Sequence, residues 1–377
     1  MKKLNINRHS IYQVKVSTDL ADYEWDRFVE NEANGQYEQT SRWAQVKSVY
    51  GWDPVRVVFF SEGRIVTGIQ ILRKKFFKYF SVGYATKGPV FAIDSSDIVQ
   101  RVIETINRVL PQYRIVYLLI QPPDDGLDIP EWLVRYGYKI DDTIDVVSAT
   151  TTIDLSKTLD DIFKSLTKNN RRFIRHGERK GIRVREGTWE DIPLFYDMMK
   201  ETCRRQGVAP NPPDVSFVIK LWRIFHPTGN VRLFLAEHKG VVISGVLAIP
   251  FGRVFRAWKL GWSGSLGHFK PNQVLFWEMI KWAKKNGYAL FDFVGIDRNA
   301  AESILDGTHF SKVARGSSFF KLMFKGDIKL LPKAYFYIYN PLLRQLYSEF
   351  YSKVIRLKQS RSFLSRFVNH CVFKENE

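Results

Sequence analysis

Two stretches of the chain show the same succession of apolar runs and polar turns: residues 54–72 and residues 230–249. Each stretch has a run rich in β-branched and aromatic residues, a polar turn, and a second apolar run. Gly63 and Gly240 lie in the turns, 177 residues apart. This pattern predicts a β-hairpin in each stretch. Because Gly68 and Gly245 interrupt the second runs, we expect a bulge or a close backbone approach there.

Helical periodicity follows each predicted hairpin. Apolar residues three or four positions apart form one stripe in each of two segments: Ile98, Val102, Ile106 and Val109, and later Val274, Trp277 and Ile280. A further similarity is a helical pattern that ends in Gly-Tyr and passes into a strand pattern, at Gly137 and at Gly287. We therefore interpret the chain as a duplication of one α/β unit, with hairpin, helix and strand in each copy.

The boundary between the copies is predicted near residues 145–155, where a strand pattern passes into a helix capped by Ser156 or Thr158. From residue 333 the chain is aromatic, basic and helical in period, and the first half has no such ending. We expect this segment to pack back on the protein as helices. The predicted domains are residues 1–150 joined by the C-terminal segment 333–377, and residues 151–332.

The net charge of +18 is the compositional feature that changes this picture most. It indicates a polyanionic partner, which is a nucleic acid, a phosphorylated substrate or an anionic membrane surface. Hydrophobic residues make up 45% of the chain, enough for a sizeable core. We expect no secretion signal and no transmembrane helix. Cys203 and Cys371 lack paired spacing and the histidines form no metal motif, so we expect a reducing cytosol and no metal.

The densest basic stretch is residues 163–185. Its cations recur at helical spacing and share one predicted helix face: Lys168, Arg172, Arg175 and Arg179. Such a face suits phosphate groups, because arginine offers a planar fork and lysine a point charge. The spacing therefore predicts a phosphate or RNA contact, and a solvated surface helix is the alternative.

Two stretches of the first half also carry candidate residues. In residues 34–52, Trp43, Val46 and Tyr50 share a helical face that we expect to point inward, with Arg42 and Lys47 beside it. In residues 82–91, Gly83, Lys87, Gly88 and Pro89 form a loop that brings backbone N–H groups and one cation together. On spacing alone, an ordinary helix or loop is the simpler interpretation of each stretch, and a binding site is the alternative.

These two stretches, GQYEQTSRWAQVK and GYATKGPV, resemble the first-domain motifs of the Fem-type aminoacyltransferases. The resemblance continues with LTKNNRRFIRHGERKGI, which is similar to the basic helix that opens the family's second domain. PNQVLFWEMIKWAKKNGYALFDFVGI resembles the family's most recognisable block, and THFSKVARG resembles its closing Phe-Lys segment. The order and spacing of these motifs, which cover the chain to about residue 333, carry the resemblance.

The resemblance implies an α/β (α+β) fold of two tandem acetyltransferase-like (GNAT-type) domains, with mixed sheets flanked by helices. The family's long antiparallel helical arm is not expected, because no suitable insertion interrupts the second half. The donor would be aminoacyl-tRNA, bound on the side of the second domain, with no other cofactor. The acceptor, bound by the first domain, would be an amino group on a peptidoglycan precursor that carries uridine diphosphate or a lipid pyrophosphate. The expected location is the cytoplasm, at the inner face of the membrane.

Residue roles follow from the same resemblance. Lys47 matches a lysine that grips the acceptor's phosphates, and Lys312 matches a lysine near the reacting centre, where a cation stabilises a developing oxyanion. The other predicted substrate-binding residues are Arg42, Tyr84, Lys87, Arg204, Arg205 and Asn272. The basic helix face would bind the tRNA phosphates.

Two departures from the family pattern concern the acceptor. Gln121 stands where the family can place an aspartate after its third first-domain strand, and Asp124 is close but displaced. The segment 204–217 has no arginine at the position that some relatives use on the acceptor. Arg204 and Arg205 lie upstream of that position and are the available substitutes.

Direct attack of an acceptor amine on an activated ester needs mainly proximity and oxyanion stabilisation. The sequence shows no Ser-His-Asp or Cys-His arrangement, so we expect no covalent enzyme intermediate. The alternative function is an acyl-coenzyme A N-acyltransferase that acts on a polysaccharide precursor or a small amine. Its pyrophosphate loop would be residues 261–274, which lack the expected glutamine or arginine at the required spacing.

A non-enzymatic alternative is a tRNA-binding or membrane-binding protein with an inactive acyltransferase fold. The basic C-terminal tail could then rest on an anionic membrane. Its cations stand beside Phe363 and Phe367, and they are Arg356, Lys358, Arg361 and Arg366. An ordinary packed helix with solvated cations is the simpler interpretation of this tail.

Overall fold

In a computed structural model of the chain, the described residues are 2–3, 12–77, 80–92, 95–125, 128–141, 144, 146–345 and 347. The chain divides into two compact units. Unit 1 is Met1–Val146 with Leu331–Glu377, and unit 2 is Val147–Leu330. The predicted domain borders, at 150/151 and 332/333, lie a few residues from these divisions, and the acceptor and donor roles of the two domains stay predictions.

The strands are β1 (Lys2–Lys3), β2 (Gln13–Ser17), β3 (Trp52–Ser61), β4 (Arg64–Phe77), β5 (Phe80–Thr86), β6 (Val90–Phe91), β7 (Ile115–Gln121), β8 (Lys139–Asp141), β9 (Ala149–Asp154), β10 (Ile182–Glu186), β11 (Arg232–His238), β12 (Val241–Phe251), β13 (Val254–Trp262), β14 (Leu290–Asp292), β15 (Asp327–Leu330) and β16 (Ala334–Ile338). The helices are α1 (Tyr23–Asn31), α2 (Ser41–Lys47), α3 (Ser96–Val109), α4 (Ile129–Arg135), α5 (Leu159–Ser165), α6 (Lys168–Arg179), α7 (Ile192–Gln206), α8 (Val215–Phe225), α9 (Pro271–Lys285), α10 (Arg298–Leu305), α11 (Phe310–Val313) and α12 (Gly316–Leu322).

Unit 1 is built on a mixed sheet in the order β1-β2-β3-β4-β5-β7-β16-β8, with β6 paired to β4. Strands β5 and β7 are parallel, and β16 lies antiparallel between β7 and β8. The expectation that the segment after residue 333 begins as a helix is wrong, because Ala334–Ile338 is a strand. An aromatic run of this length is compatible with either structure, and the open position beside β7 selects the strand.

Unit 2 repeats this arrangement with the order β10-β11-β12-β13-β14-β9-β15. Its parallel pair is β13 and β14, and β9 lies antiparallel beside β14 as β16 lies beside β7. In both units, therefore, the strand beside the parallel pair comes from a distant part of the chain. The mixed sheets flanked by helices confirm the predicted fold class at this level.

The two predicted hairpins are present and match in detail. The turn residues Glu62-Gly63 and Lys239-Gly240 all have positive φ, the geometry of a two-residue turn whose twist suits a hairpin. Each second strand then bulges at the same place, since Val66 and Ile243 are the residues skipped by the two registers. A bulge conserved in position between the copies supports the duplication.

The second proposed similarity pairs the wrong elements. Helix α9 leads into β14, the strand that is parallel to β13, so its topological counterpart is α3, which leads into β7. Helix α4 instead leads into the edge strand β8. Gly137 and Gly287 both have positive φ after a helix, so their likeness reflects a common way of ending a helix.

The predicted apolar stripes lie in the cores. The stripe of α3 is buried against the sheet of unit 1, and the stripe of α9 is buried in unit 2. Gly68 is a position of close approach, as expected, since a Cβ there would lie 2.7 Å from the Trp25 ring and from the Val57 carbonyl oxygen. A Cβ on Gly245 would lie 2.7 Å from a methyl group of Leu235.

Candidate functional site

Helix α2 positions the first group of candidate residues in unit 1. Thr40 caps it, because its hydroxyl accepts a hydrogen bond from the Trp43 backbone at 3.1 Å. Lys47 lies in its last turn with only 9% of the residue exposed. The Lys47 ammonium lies 5.6 Å from the Tyr50 ring centre and 5.8 Å from that of Tyr84. These contacts place the charge at the edge of an aromatic wall, where the rings stabilise a partly desolvated cation.

Tyr84 is buried on β5 and packs edge-on against Trp52 at 4.6 Å between ring centres. Burial raises the pKa of its phenol well above the ordinary range, and the nearby Glu38 charge acts in the same direction. The Tyr84 hydroxyl therefore stays protonated. It can donate a hydrogen bond to a ligand, but it cannot supply a base.

Lys87 lies in the loop after β5, in the left-handed backbone region at φ 59°. Its ammonium forms an ion pair with Asp124, whose second oxygen accepts a hydrogen bond from the Gln36 amide at 2.7 Å. The side chain of Gln39 fixes the neighbouring backbone, since it donates to the Thr86 carbonyl at 2.8 Å. Asp124 thus joins the loop after β7 to the loop after β5. This contact was not predicted from the sequence.

Arg42, a predicted substrate-binding residue, has partners inside the protein. Its guanidinium lies 3.4 Å from an Asp26 oxygen and 2.9 Å from a Glu30 oxygen, and both carboxylates belong to α1. Burial raises the pKa of Asp26, while Ser41 and Arg42 oppose that effect. These contacts indicate that Arg42 holds α2 against α1, and a direct contact with substrate stays a prediction.

The sheet of unit 2 opens where that of unit 1 stays closed. Strands β13 and β14 pair at three positions, up to Arg256 and Asp292, whereas β5 and β7 pair at six. Beyond Arg256, β13 continues to Trp262 while the chain after Asp292 turns away through Val294 and Gly295, both at positive φ. A gap therefore forms between the two strands on the side of their C-terminal ends.

Lys321 of α12 reaches the backbone that borders this gap. Its ammonium donates to the carbonyl oxygens of Val294 and Gly295, each at 2.6 Å. Burial lowers the pKa of Lys321 to about 8, the Asp292 carboxylate opposes this shift, and the charge of Lys259 adds to it. Lys321 is therefore a half-buried cation near neutral pH, which is the type of group that stabilises a developing negative charge.

Lys259 of β13 lies on the same face of the sheet as Arg256. A bulge between Leu247 and Ile249 keeps Arg256 and Lys259 on one side, the side covered by α7. Burial lowers the pKa of Lys259, and burial raises the pKa of the Cys203 thiol on α7, which lies within reach of the Lys259 charge. The face therefore carries several cations.

The one carboxylate that acts on Lys321 is already engaged. Asp292 accepts a hydrogen bond from the Thr150 hydroxyl at 2.5 Å and one from the Val294 backbone at 2.9 Å. It also lies 3.8 Å from Arg256. The carboxylate thus fixes the start of the diverging loop, and it balances only part of the positive charge around it.

The remaining predicted residues of unit 2 lie in different settings. Lys312 is exposed on the four-residue helix α11, so its catalytic role stays a prediction that the geometry favours less than the same role for Lys321. Arg204 is exposed and pairs with Glu201 at 2.9 Å. Arg205 stacks on Trp262 at 4.9 Å and donates to its carbonyl oxygen. Asn272 opens α9, and its side-chain oxygen is buried without a hydrogen-bond partner among the described residues.

The basic face predicted for α6 is present. All four of its cations are exposed, while Asn170, Ile174 and Gly177 are buried on the other side. The four are Lys168, Arg172, Arg175 and Arg179. The cations of the predicted C-terminal tail, Arg356, Lys358, Arg361 and Arg366, lie outside the described residues.

Two family models match the chain. Residues 20–126 match the FemAB family, and residues 164–302 match the acetyltransferase (GNAT) domain. The first of these matches supports the resemblance to the Fem-type family that the sequence motifs indicate. Since the two sheets share one strand order, the match of the second half to a GNAT domain also confirms the predicted tandem fold.

Two named relatives of the chain come from staphylococci. It is 27% identical over 232 residues to the lipid II:glycine glycyltransferase of Staphylococcus haemolyticus, an alignment that covers 58% of this chain and 54% of that protein. It is 21% identical over 353 residues to the enzyme of the same name from Staphylococcus epidermidis, which covers 74% of this chain and 84% of that protein. The chain thus spans about half the length of the first relative and most of the second.

Among solved structures, the chain resembles the crystal structure of FemX. The TM-score is 0.75 at 20% sequence identity, over 92% of this chain and 99% of that one. At this identity the likeness supports the fold alone.

Sequence reasoning missed two residues of this chain, Lys321 and Lys259, and it named Asp124 only as displaced from the position where the family can place an aspartate. The segment that ends in Lys312 contains Phe-Ser-Lys, and the next helix contains Phe-Phe-Lys, which ends in Lys321. The second Phe-Lys pair was the available signal. Lys259 stands in no recognisable motif, and strand register brings it to its site, whereas the contact with Lys87 fixes the place of Asp124.

Among the described residues, no group of three histidine, cysteine or carboxylate side chains is placed to hold a metal ion. In the same part of the chain, every helix is too short or too polar to cross a bilayer.

Proposed function

We propose that this chain is an aminoacyltransferase that joins an amino acid carried by a tRNA to an amino group of a peptidoglycan precursor. Both staphylococcal relatives are named lipid II:glycine glycyltransferases, which supports transfer of an amino acid to such a precursor. The observation that carries the proposal is the opening between β13 and β14, with the half-buried cation Lys321 beside it. Unit 1 would bind the acceptor and unit 2 the donor.

Unit 1 supports the acceptor half of this proposal. A peptidoglycan precursor carries a pyrophosphate next to a sugar, and Lys47 offers a partly buried ammonium on an aromatic wall of Tyr50 and Tyr84. Lys87 provides a second cation, which forms an ion pair with Asp124. A pyrophosphate that approaches Lys87 would compete with this carboxylate, so binding there favours a strongly charged ligand over a weakly charged one.

Unit 2 supports the donor half. A gap between parallel strands can receive the narrow 3′ end of an aminoacyl-tRNA, and the cations on this face suit its phosphates. The exposed cations of α6 provide a longer surface for the acceptor stem of the tRNA. Such contacts depend on charge and not on base sequence.

In the reaction, the nitrogen of the acceptor amine attacks the ester carbonyl carbon of the aminoacyl group. A tetrahedral intermediate with a negatively charged oxygen forms, the ester C–O bond then breaks, and an amide remains. The ribose oxygen leaves and takes up one proton, and the attacking nitrogen loses one. The Lys321 ammonium would stabilise the charged oxygen, and no bond between enzyme and substrate forms.

The donor and the acceptor can be tested together. The purified chain is incubated with a pool of charged tRNAs or with acyl-coenzyme A, and with a uridine diphosphate-linked or a lipid-linked pentapeptide precursor. The proposal predicts a precursor heavier by one amino-acid residue, formed only with charged tRNA and abolished by prior ribonuclease treatment. Product from acyl-coenzyme A alone would establish the alternative acyltransferase. Absence of product from both donors would contradict catalysis of this type.

A further inference from the structure

The β4–β5 hairpin of unit 1 carries an unusual tip. Residues 73–80 read RKKFFKYF, so cations and aromatic residues follow one another without an acidic residue. At the base of this hairpin lies Tyr84, which forms part of the wall beside Lys47. The tip is absent from every contact assigned so far to acceptor or donor.

The strand register places part of the tip on the face of the candidate site. Lys74 pairs with Trp52 on β3 and with Val82 on β5, so these three side chains point to one side. Phe80 and Tyr84 lie on that side as well, because alternate residues of a strand share a face. The Lys74 ammonium lies 5.8 Å from the Trp52 ring centre, which confirms this assignment.

Two phenylalanines of the tip, Phe76 and Phe80, are exposed to solvent. Phe76 is 38% exposed and Phe80 is 42% exposed. Lys75, near the end of β4, is exposed as well. Val49, two residues after Lys47, is 43% exposed. Exposed phenylalanines at the end of a hairpin leave apolar surface in water, and a partner that covers them while meeting the lysines would stabilise both.

We propose that this hairpin tip docks on the surface of an anionic lipid bilayer. The phenylalanine rings would enter the headgroup region, and Lys74 and Lys75 would lie beside lipid phosphates. Charge complementarity favours a membrane over a protein partner, because the tip carries no acidic residue and the whole chain carries a net charge of +18. The contact is peripheral, since the described helices are too short or too polar to span a bilayer.

The position of the tip gives the docking a function, and this step alone rests on the proposed function. Phe80 and Tyr84 are four residues apart on one strand face, a separation of roughly 13 Å. With the tip in the headgroups, the Lys47 site lies just above the membrane surface. A pyrophosphate that remains attached to its lipid can then reach Lys47 without leaving the bilayer.

The docking is tested first without any substrate. The full chain is mixed with vesicles of phosphatidylcholine alone or with phosphatidylglycerol, and the bound fraction is measured by sedimentation. We expect binding to the anionic vesicles, and a loss of about tenfold or more in the double variant Phe76→Ser with Phe80→Ser. Both residues are exposed, so the variant folds, which circular dichroism verifies.

Two matched variants control this result. Val134→Ser with Leu342→Ser removes two exposed apolar side chains elsewhere in unit 1, and Arg172→Gln with Arg175→Gln removes two exposed charges from α6. We expect both to bind within about twofold of the unaltered chain, because neither pair belongs to the tip. The proposal is overturned if the hairpin variant binds as the unaltered chain does, if a control loses as much as the hairpin variant, or if the unaltered chain ignores anionic vesicles.

A second measurement separates this inference from the proposed function. Transfer to a soluble, uridine diphosphate-linked acceptor is compared with transfer to the lipid-linked acceptor in vesicles. The hairpin variant should keep the first activity and lose about tenfold in the second. If the unaltered chain transfers to neither acceptor, the proposed function fails while the vesicle result stands. Equal losses on both acceptors would show that the tip acts on catalysis and not on the membrane.

Discussion

The two units share their strand order, their hairpin turn and the bulge after it, yet they differ where the parallel strands end. In unit 1, β5 and β7 remain paired at six positions, and in unit 2, β13 and β14 part after three. The duplication thus kept the strand order and changed the pairing of the two parallel strands. Where the parallel strands stay paired, a site can lie only on the surface of the sheet. Where the strands part, a substrate can enter between them.

The lysines of the two candidate sites differ in their partners. In unit 1, Lys87 is neutralised by Asp124 and Lys47 rests on aromatic rings, an arrangement that suits reversible binding of an anion. In unit 2, Lys321 is held by two carbonyl oxygens, which fix the ammonium without neutralising it. This comparison supports the proposal that unit 1 binds a substrate and that unit 2 stabilises the transition state.

The strongest test of that assignment is the pair Lys321→Ala and Lys312→Ala. If Lys321 stabilises the oxyanion, its removal should lower kcat by about a thousandfold, the loss typical of an oxyanion donor. The exposed Lys312 should change kcat by about twofold or less. Steady-state kinetics with a charged tRNA and a soluble acceptor measures both variants, and a large loss from Lys312→Ala alone would restore the role predicted from sequence.

The difference between these lysines shows how far the sequence can be interpreted. The hairpins were predictable because turn glycines and apolar runs act locally, and both copies obey the same rule. The choice between Lys312 and Lys321 was not, because both follow a phenylalanine-containing segment and only the packing of α12 against the loop after β14 buries one of them. Local motifs identify the segment, and tertiary contacts select the residue.

The strand β16 illustrates a second limit. Its aromatic residues were compatible with a helix, and only the sheet position between β7 and β8 requires a strand. The basic face of α6 is the opposite case, because helical spacing alone was enough to place four cations on one exposed side.

The next largest effect concerns a cation of unit 1 that we assign to structure. Arg42→Met should lower the free energy of unfolding by about 3 kcal/mol, because the buried Asp26 carboxylate loses its charged partner. Urea unfolding followed by circular dichroism measures the change. A variant of normal stability that fails to bind the acceptor would instead assign Arg42 to the substrate.

A smaller effect separates two equivalent glycines. Gly68→Ala should cost about 2 kcal/mol of unfolding free energy, because its new methyl group would meet the buried Trp25 ring and a backbone oxygen. Gly245→Ala should cost about half as much, since the end of the Leu235 side chain can move away. The same urea measurement compares them, and equal costs would show that the two copies are packed alike at this bulge.

The binding role of unit 1 is tested at Lys47. Lys47→Met should raise the KM for the acceptor about tenfold and leave kcat within about twofold, because the lost contact is made equally in the ground state and the transition state. Lys139→Met, an exposed change in the same unit, serves as the control. A fall in kcat at unchanged KM would move Lys47 into the chemistry and weaken the division of labour between the units.

The smallest expected effect is a shift in pH dependence caused by Lys259. Burial lowers the pKa of Lys321 to about 8, and the like charge of Lys259 contributes to that shift. Activity that needs the Lys321 cation should be complete below this pH and fall as the pH rises through it. Lys259→Met removes a neighbouring positive charge, so the cation of Lys321 becomes easier to keep and the falling limb of kcat should move to higher pH, by about one unit or less. A limb that stays in place would show that another group titrates there, and a limb that moves to lower pH would mean that Lys259 helps to keep Lys321 protonated.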